Sequence, residues 1–400
     1  HDGEAVILRM DYPSPYLRLG SDRLNTQWDE KRMAKGSFTM VVPDTMPLTL
    51  PHAEHLFSPN FLEPQLLPIM GTLADFGFFG FAGTPLYIDI APPVGIEYLK
   101  APYLMQRGAT SIITPIALTN YTNGAHTAKV IVTAPPGIFI RQSASTVDFS
   151  EEDEESIVTI AVILDDELPS GDYPITTTIH ETGYSVQAIL RVVDYSIPEG
   201  INVGVIQSYD TTFLNTLTRM GVPHEALEKD DFTASKLDEF STIIVDIRAY
   251  LVRPDLIANN QAMLEYVKRG GTMIVMYQKT FEWKKEYAPY PLSLSHNRVT
   301  REDALITLLH PKHPLFTTPN RMGDIDWAGW RQERGLYFPS KWDEAYTPLI
   351  EVHDPGETPP PGSLLIADYG EGVYVYTALG WYRQLRELHP GTVKMFANML

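Results

Sequence analysis

The sequence predicts a multidomain protein, an immunoglobulin-like β-sandwich followed by an α/β flavodoxin-like doubly wound domain. Three observations predict it. Ser241–Gln278 reads strand, loop, helix, turn, strand. Between Pro92 and Ile197, strand-like runs recur at regular intervals between turn signals. A chain of 400 residues is also long enough for two to three domains at about 150 residues each.

Within Ser241–Gln278, Thr242–Ile247 is an apolar β-branched run of the kind buried in a parallel sheet. Pro254 suits the first turn of a helix, where its missing N–H costs nothing. Leu256, Met263, Leu264 and Val267 keep helical spacing, and Lys268 and Arg269 favour the negative end of the helix dipole. Gly270 and Gly271 end the helix, and Thr272–Tyr277 is the next strand. Upstream, Ile201–Gln207 is a strand, Asp210 an N-cap for a helix through Met220, and Val222–Leu227 a second strand. Downstream, Ser363–Tyr369 and Val373–Leu379 form a hairpin across Gly370-Glu371-Gly372. This order places the α/β domain at residues 198–400, with late antiparallel strands added at a sheet edge.

Residues 92–197 are the sandwich, with strands expected at Thr110–Leu118, Ala128–Thr133, Ile157–Leu164, Asp172–His180 and Ser185–Val193. Glu151–Glu155 lacks the spaced Asp/Asn and Gly of a calcium loop and reads as a solvated turn. Residues 1–91 form an irregular β-rich region with short strand-like runs at Ala5–Met10, Ser37–Val42 and Leu86–Ile90. His52-Ala-Glu-His55 has a metal-ligand spacing, but Pro51 and Pro59 confine any helix there to one turn. His310-Pro-Lys-His313-Pro is likewise broken by proline.

A net charge of -19 argues against a nucleic-acid partner or an anionic membrane surface. The absence of cysteine excludes disulfides, zinc–thiolate sites and a cysteine nucleophile. No apolar run approaches the roughly 18–20 residues of a membrane span. Opening on His1 and stopping inside a helical pattern at Thr392–Leu400, the chain reads as a piece of a longer protein.

Catalytic signatures are missing: there is no G-x-S-x-G elbow, P-loop or G-x-G-x-x-G, and no catalytic residue is assigned. In open α/β sheets, ligands bind beyond the carboxyl ends of the strands. That rule selects Ser208, Tyr209 and Asp210 after the first strand, Arg248 and Tyr250 after Ile247, and Gln278 after Tyr277. A second candidate is the aromatic–polar run Asp326–Tyr337 with Trp327, Trp330, Glu333 and Arg334, joined by Trp342-Asp343 and by Trp381-Tyr382-Arg383. Such residues either stack on a sugar and bind its hydroxyls or plug the edge of the sheet.

Four stretches carry a family resemblance: DIRAYLVRPDLIANNQ from Asp246, YPLSLSHNRVTREDA from Tyr290, HPLFTTPNR from His313, and WRQERGLYFPSKWDEAYTPLIEVHDPGE from Trp330. They resemble the C-terminal region of large bacterial PIG-L-type (LmbE-like) zinc-dependent deacetylases. In that family a catalytic domain acting on N-acetylglucosamine-type sugars precedes a β-sandwich and a class I glutamine-amidotransferase-like domain. The resemblance covers Pro92–Leu400 and is strongest over Asp246–Gly380. The family's zinc signature A-H-P-D-D-E is absent, as is the amidotransferase cysteine. The resemblance therefore implies a non-catalytic accessory region, with zinc only in an upstream domain. It implies carbohydrate, or an upstream deacetylase domain or partner chain, as partner, and a secreted or periplasmic location. The other readings are a structural scaffold and a self-contained carbohydrate hydrolase.

Overall fold

In a computed structural model, the described residues are 91–357 and 362–400, together with six strands within residues 1–90. Four of these six, in the order Arg23–Gln27, Ala5–Asp11, Met70–Asp75 and Phe78–Phe81, pair as an antiparallel sheet. Leu86–Ile90 and the His52/His55 pair lie outside the described residues.

The sandwich has nine strands in two sheets. One sheet runs Thr146–Phe149, His126–Thr133, Gly171–Ile179, Ser185–Val193, Tyr103–Gln106. The other runs Ile138–Gln142, Glu155–Leu164, Ser111–Asn120, Val94–Tyr98. Inward positions alternate along each strand, as the two-residue period requires. Ile116, Leu118, Val158, Ile160 and Val162 meet Val130, Ile175, Ile179 and Leu190 in one buried cluster. The five longer strands stand where the sequence pattern predicts, while the four others are edge or short strands that the pattern does not reveal.

The second large unit is an eight-stranded sheet. Its spatial order is His224–Ala226, Val203–Ile206, Thr242–Val245, Thr272–Val275, Gly372–Thr377, Leu364–Tyr369, Thr347–Val352, Ile306–Leu308. The first five are parallel and the last three add antiparallel. The hairpin forms as the sequence suggests, with Gly370 at φ 65 in its turn. Helix is scarce, the longest helix being the ten residues Pro390–Met399. The described architecture is therefore β-rich and multidomain, and its helix content does not support the expected flavodoxin-like doubly wound layers. The physical departure lies between Val275 and Gly372, where a helical crossover would stand. Ribbons of two to four residues and single-turn helices run there instead, before the sheet strands Thr347–Val352 and Leu364–Tyr369.

The expected helix from Pro254 to Arg269 is two pieces, Pro254–Ala258 and Asn260–Lys268. The break turns Asn260 inward, where Oδ1 accepts from the Tyr250 hydroxyl (2.6 Å) and Nδ2 donates to the Tyr287 carbonyl (3.2 Å). Asp210 is not the N-cap. The helix Thr212–Met220 is entered through Thr211, and Asp210 Oδ1 accepts the Thr212 N–H from one residue further out (2.7 Å). Among the described residues no helix is long and apolar enough to cross a membrane.

The two units share a packed boundary. Leu104, Val193 and Tyr195 join the core of the eight-stranded unit. Arg191 Nη1 donates to the Glu387 carbonyl. At the linker, the buried Asn320 amide accepts from Ser196 N–H (2.8 Å) and donates to the Ser196 carbonyl (2.8 Å), while Asn320 N–H donates to Asn398 Oδ1 (2.9 Å). Asn320→Ala would leave the Ser196 N–H and carbonyl without these partners; Ser196 is exposed and water replaces part of the interaction, so each lost bond costs about 0.5–1.5 kcal/mol. Denaturant unfolding of Asn320→Ala should show a loss of about 1–3 kcal/mol. Faster proteolytic cleavage across residues 196–200 should accompany it, and unchanged values in both would deny the linker clamp.

Candidate functional site

The carboxyl ends of the parallel strands deliver three short segments to one crevice: Gln207–Asp210, Asp246–Tyr250 and Met276–Glu282. Asp246 follows the central strand Thr242–Val245 and is almost wholly buried. Its Oδ2 accepts from the Ser208 N–H (2.9 Å) and the Ser208 hydroxyl (2.7 Å), and its Oδ1 from the Ile247 N–H (2.7 Å). Burial lifts its carboxyl from an ordinary 3.8 to about 7; the Ser208 and Ile247 hydrogen bonds oppose the rise and neighbouring Asp210 adds to it. The sequence reading overlooked Asp246, although a lone carboxylate closing an apolar β-branched run was a usable signal.

Arg248 adopts a left-handed backbone at φ 55. Its guanidinium lies against Glu282 Oε2 (3.3 Å) and donates to the Tyr209 hydroxyl (3.1 Å), with the Phe281 ring 5.8 Å away. Tyr209 is 58% exposed. Asp210 Oδ2 accepts from Arg386 Nη2 at 2.5 Å. Tyr277 stacks on Tyr337 (6.3 Å between centroids) and leans on Tyr382 (6.0 Å), whose ring lies 5.1 Å from the Arg383 guanidinium carbon. Of the residues predicted for this crevice, the structure brings together Ser208, Tyr209, Asp210 and Arg248.

Tyr250 and Gln278 require correction. Tyr250 is buried, stacked on Tyr287 at 4.5 Å and set edge-on to Trp283. Gln278 is fully buried; Nε2 donates to the Asp246 and Met276 carbonyls (2.9 Å each) and Oε1 accepts from Tyr250 N–H (3.2 Å). These side chains face the core, so they brace the crevice from behind.

The aromatic–polar run is also largely interior. Trp327, Trp330 and Trp381 gather with ring centroids 5.3–6.3 Å apart. Trp381 is fully buried and donates from Nε1 to Thr377 Oγ1 (2.7 Å), which removes it as a ligand contact. Glu333 is buried between Arg298 (2.5 Å) and Arg383, so it acts as an ionic tie rather than an open acceptor. Arg334 is buried, with Nη1 on the Trp327 carbonyl (2.6 Å), Nε on the Ala304 carbonyl (3.0 Å) and its guanidinium carbon 5.1 Å from the Trp330 ring. Burial lowers its pKa to about 10, leaving it cationic at neutral pH.

Beside this cluster lies a cavity of about 410 Å³, lined by Trp327, Trp330 and Arg334 together with Glu302, Asp303, Asp324 and Leu305. Trp330 is 2% exposed, and its indole N–H has no hydrogen-bond partner among the described residues. Among the described residues no three His, Asp or Glu side chains gather as metal ligands. His313 caps the helix Pro314–Thr317 by accepting the Leu315 N–H on Nδ1 (3.2 Å).

No protein-family model matches the chain, and no curated protein matches it. Solved structures similar to parts of it include a FixG-related protein from Vibrio parahaemolyticus, 16% identical, covering 26% of this chain and 98% of that one at a TM-score of 0.22. Domains 4 and 5 of the S-layer protein SbsC are 15% identical, covering 47% and 98% at 0.19. A family 123 glycoside hydrolase from Clostridium perfringens is 12% identical, covering 47% and 39% at 0.19. At these scores none of them assigns a function.

The buried Asp246 makes stability depend on pH. Its folded pKa lies above its unfolded value, so the contribution is complete below about pH 4 and is lost as pH rises through about 7. The full change is on the order of 4 kcal/mol. Asp246→Asn sacrifices one backbone hydrogen bond and lowers stability at acid pH, but it abolishes this dependence. Unfolding free energies measured from pH 5 to 8 should therefore fall more steeply for the native chain than for Asp246→Asn. Parallel slopes would remove the buried-carboxylate assignment.

Proposed function

We propose that this chain is the non-catalytic, carbohydrate-binding region of a PIG-L-type N-acetylglucosamine deacetylase, secreted or periplasmic, with an amidotransferase-like α/β domain that has lost its cysteine. The sequence resemblance over Asp246–Gly380 supports the family. Parallel strands in the order second, first, third, fourth are compatible with a flavodoxin-like core stripped of helix. The family's zinc motif is absent from this sequence, so no hydrolytic step is assigned to these residues.

The observation that carries the binding reading is the cavity beside the tryptophan cluster. Trp327 and Trp330 supply an apolar wall against which the C–H groups of a pyranose can pack. Asp324, together with the free lone pairs of Glu302, supplies acceptors for hydroxyl donors, while Asp303 is tied to Arg301. Arg334 is already held by two backbone carbonyls and serves to fix the wall.

Tryptophan fluorescence and calorimetric titrations against N-acetylated and de-N-acetylated oligosaccharides test this reading. A saturable response to one class is expected. Trp330→Phe shortens one wall of the cavity and should weaken binding roughly three- to tenfold, the value of about 1 kcal/mol of lost contact. Its stability should fall by about 1–2 kcal/mol, because the smaller ring leaves a void in a buried cluster, so binding is compared under conditions where both proteins are folded. Binding that survives both Trp330→Phe and Asp324→Asn would remove the cavity from the site. Silence across the whole panel would leave the scaffold reading in its place.

A further inference from the structure

The crevice at the carboxyl ends of the parallel strands holds cations that the glycan site leaves unused. Arg248, Lys279, Arg383 and Arg386 are half-buried there, unlike basic side chains that stand out in water. Two are matched one to one, Arg248 by Glu282 and Arg386 by Asp210. Glu333 is a single carboxylate shared by Arg383 and Arg298. No carboxylate pairs with the Lys279 ammonium among the described residues; it lies over the Tyr337 ring, 5.5 Å from the centroid. Asp246 stands behind this group with its oxygens turned to Ser208 and to the Ile247 N–H. Burial lifts its carboxyl to about 7, so at neutral pH it supplies only part of a charge. The crevice therefore carries a local positive excess on a chain whose net charge is -19.

How these cations are held decides what they can do. A carboxylate partner cancels a cation, whereas an aromatic face positions it and leaves its charge and N–H donors available. Tyr337 holds Lys279 in this way, and Tyr277 packs against both Tyr337 and Tyr382, the ring beneath Arg383. Glu282 ties Lys279 to Arg248: its Oε1 accepts the Lys279 N–H (2.7 Å) and its Oε2 meets the Arg248 guanidinium. Arg248 spends two N–H groups on Glu282 and one on the Tyr209 hydroxyl, which leaves two of its five unused. Its ring neighbours Tyr209 and Phe281 are 58% and 69% exposed. Exposed rings beside cations with spare donors fit an anion that also presents a C–H face.

We propose that this crevice is a second ligand site, for a sugar ring that carries a carboxylate or a phosphate. The anionic group meets Lys279 and Arg248, and the ring lies against Tyr209 and Phe281. Carboxylate and phosphate are one chemistry here, since both accept several charge-assisted N–H bonds. The site shares no residue with the cavity lined by Trp327 and Trp330, so it does not depend on the glycan reading.

Calorimetric titration of the full chain with glucuronic acid, glucose 6-phosphate, inorganic phosphate and glucose tests it. One-to-one binding of glucuronic acid or glucose 6-phosphate is expected, severalfold weaker at high salt, with glucose far weaker than either. Whichever of the two binds more tightly names the anionic group. Lys279→Gln should weaken that binding about tenfold, the effect of one charge-assisted contact, and the variant should fold normally because its ammonium makes no ion pair. Phe281→Ala removes an exposed ring and should weaken the sugar anions severalfold while leaving inorganic phosphate unchanged. Trp330→Phe should bind the anions as the native chain does. No binding of either sugar anion, or affinities unmoved by both Lys279→Gln and Phe281→Ala, would overturn the proposal. Inorganic phosphate binding as tightly as glucose 6-phosphate would overturn it in favour of a bare anion site. Loss of anion binding in folded Trp330→Phe would overturn it in favour of the cavity.

Discussion

The carboxyl ends of the central parallel strands are joined by one side chain, that of Gln278. Its amide spans from the strand Thr272–Val275, to which it is attached, across to the Asp246 carbonyl and the Tyr250 N–H beyond the neighbouring strand. Its own N–H reaches the Tyr376 hydroxyl on the next strand (3.4 Å). An amide in this position is fully buried and fully used, and a buried polar group stabilises a structure only in that condition. The placement of Arg248 follows from it. The segment after Val245 is fixed at Asp246 and Tyr250, so Arg248 between them has little freedom, and Glu282 and Tyr209 are set by Arg248 in turn.

The same economy explains how the region from Gln278 to Tyr346 stays ordered with so little regular structure. Long connections without helix are uncommon in compact domains because their backbone polar groups need partners. Here side chains provide them. Glu333 holds Arg298 and Arg383 from opposite sides, Arg334 takes two carbonyls, and the Gln384 amide exchanges hydrogen bonds with the Arg331 backbone at 3.0 and 2.9 Å. At the far end, Lys394 pairs with buried Asp326 (2.8 Å), and Gly391 lets the final helix approach so closely that a Cβ would stand 1.9 Å from the Asp326 carbonyl oxygen. The tryptophans then fill the remaining volume. Their clustering follows from packing first, and the cavity is what that packing leaves at its margin.

This division marks how far the sequence could be read. Strands with clean alternation or β-branched runs are legible because Ser185–Val193 buries alternate residues and Thr242–Val245 buries every one. Short strands such as Tyr103–Gln106 and Thr146–Phe149 span too few residues for a period to emerge. The strand-end rule located the crevice but could not give direction: it selected Gln278 and Tyr250, whose side chains turn inward, and passed over Asp246, which lies one residue beyond its strand. Likewise an aromatic-rich run declares large buried area without declaring which ring borders open space. Trp381 and Trp330 look alike in sequence, yet one indole N–H is satisfied by Thr377 and the other has no partner among the described residues.

Backbone strain marks both candidate surfaces, since Gln332 beside the cavity holds φ 71. Arg248 and Tyr337 both hold left-handed conformations, at φ 55 and φ 53, which cost a non-glycine residue on the order of 1–3 kcal/mol each. Both converge on Tyr277: Arg248 N–H donates to its carbonyl (3.1 Å), and the Tyr337 ring stacks on its ring. Strain of this size persists only where surrounding contacts over-determine the geometry, and here the buried Gln278 follows Tyr277 directly. The crevice is therefore a preformed surface, with Arg248, Tyr209 and Tyr337 held in place before any ligand arrives. The cavity beside Trp330 differs, since exposed Leu305 stands among its lining residues and exposed Ile325 is the chain neighbour of Asp324, another lining residue. A ligand entering it has apolar side chains to order at the mouth, so the favourable contact of the indoles is partly offset by the entropy of fixing that rim.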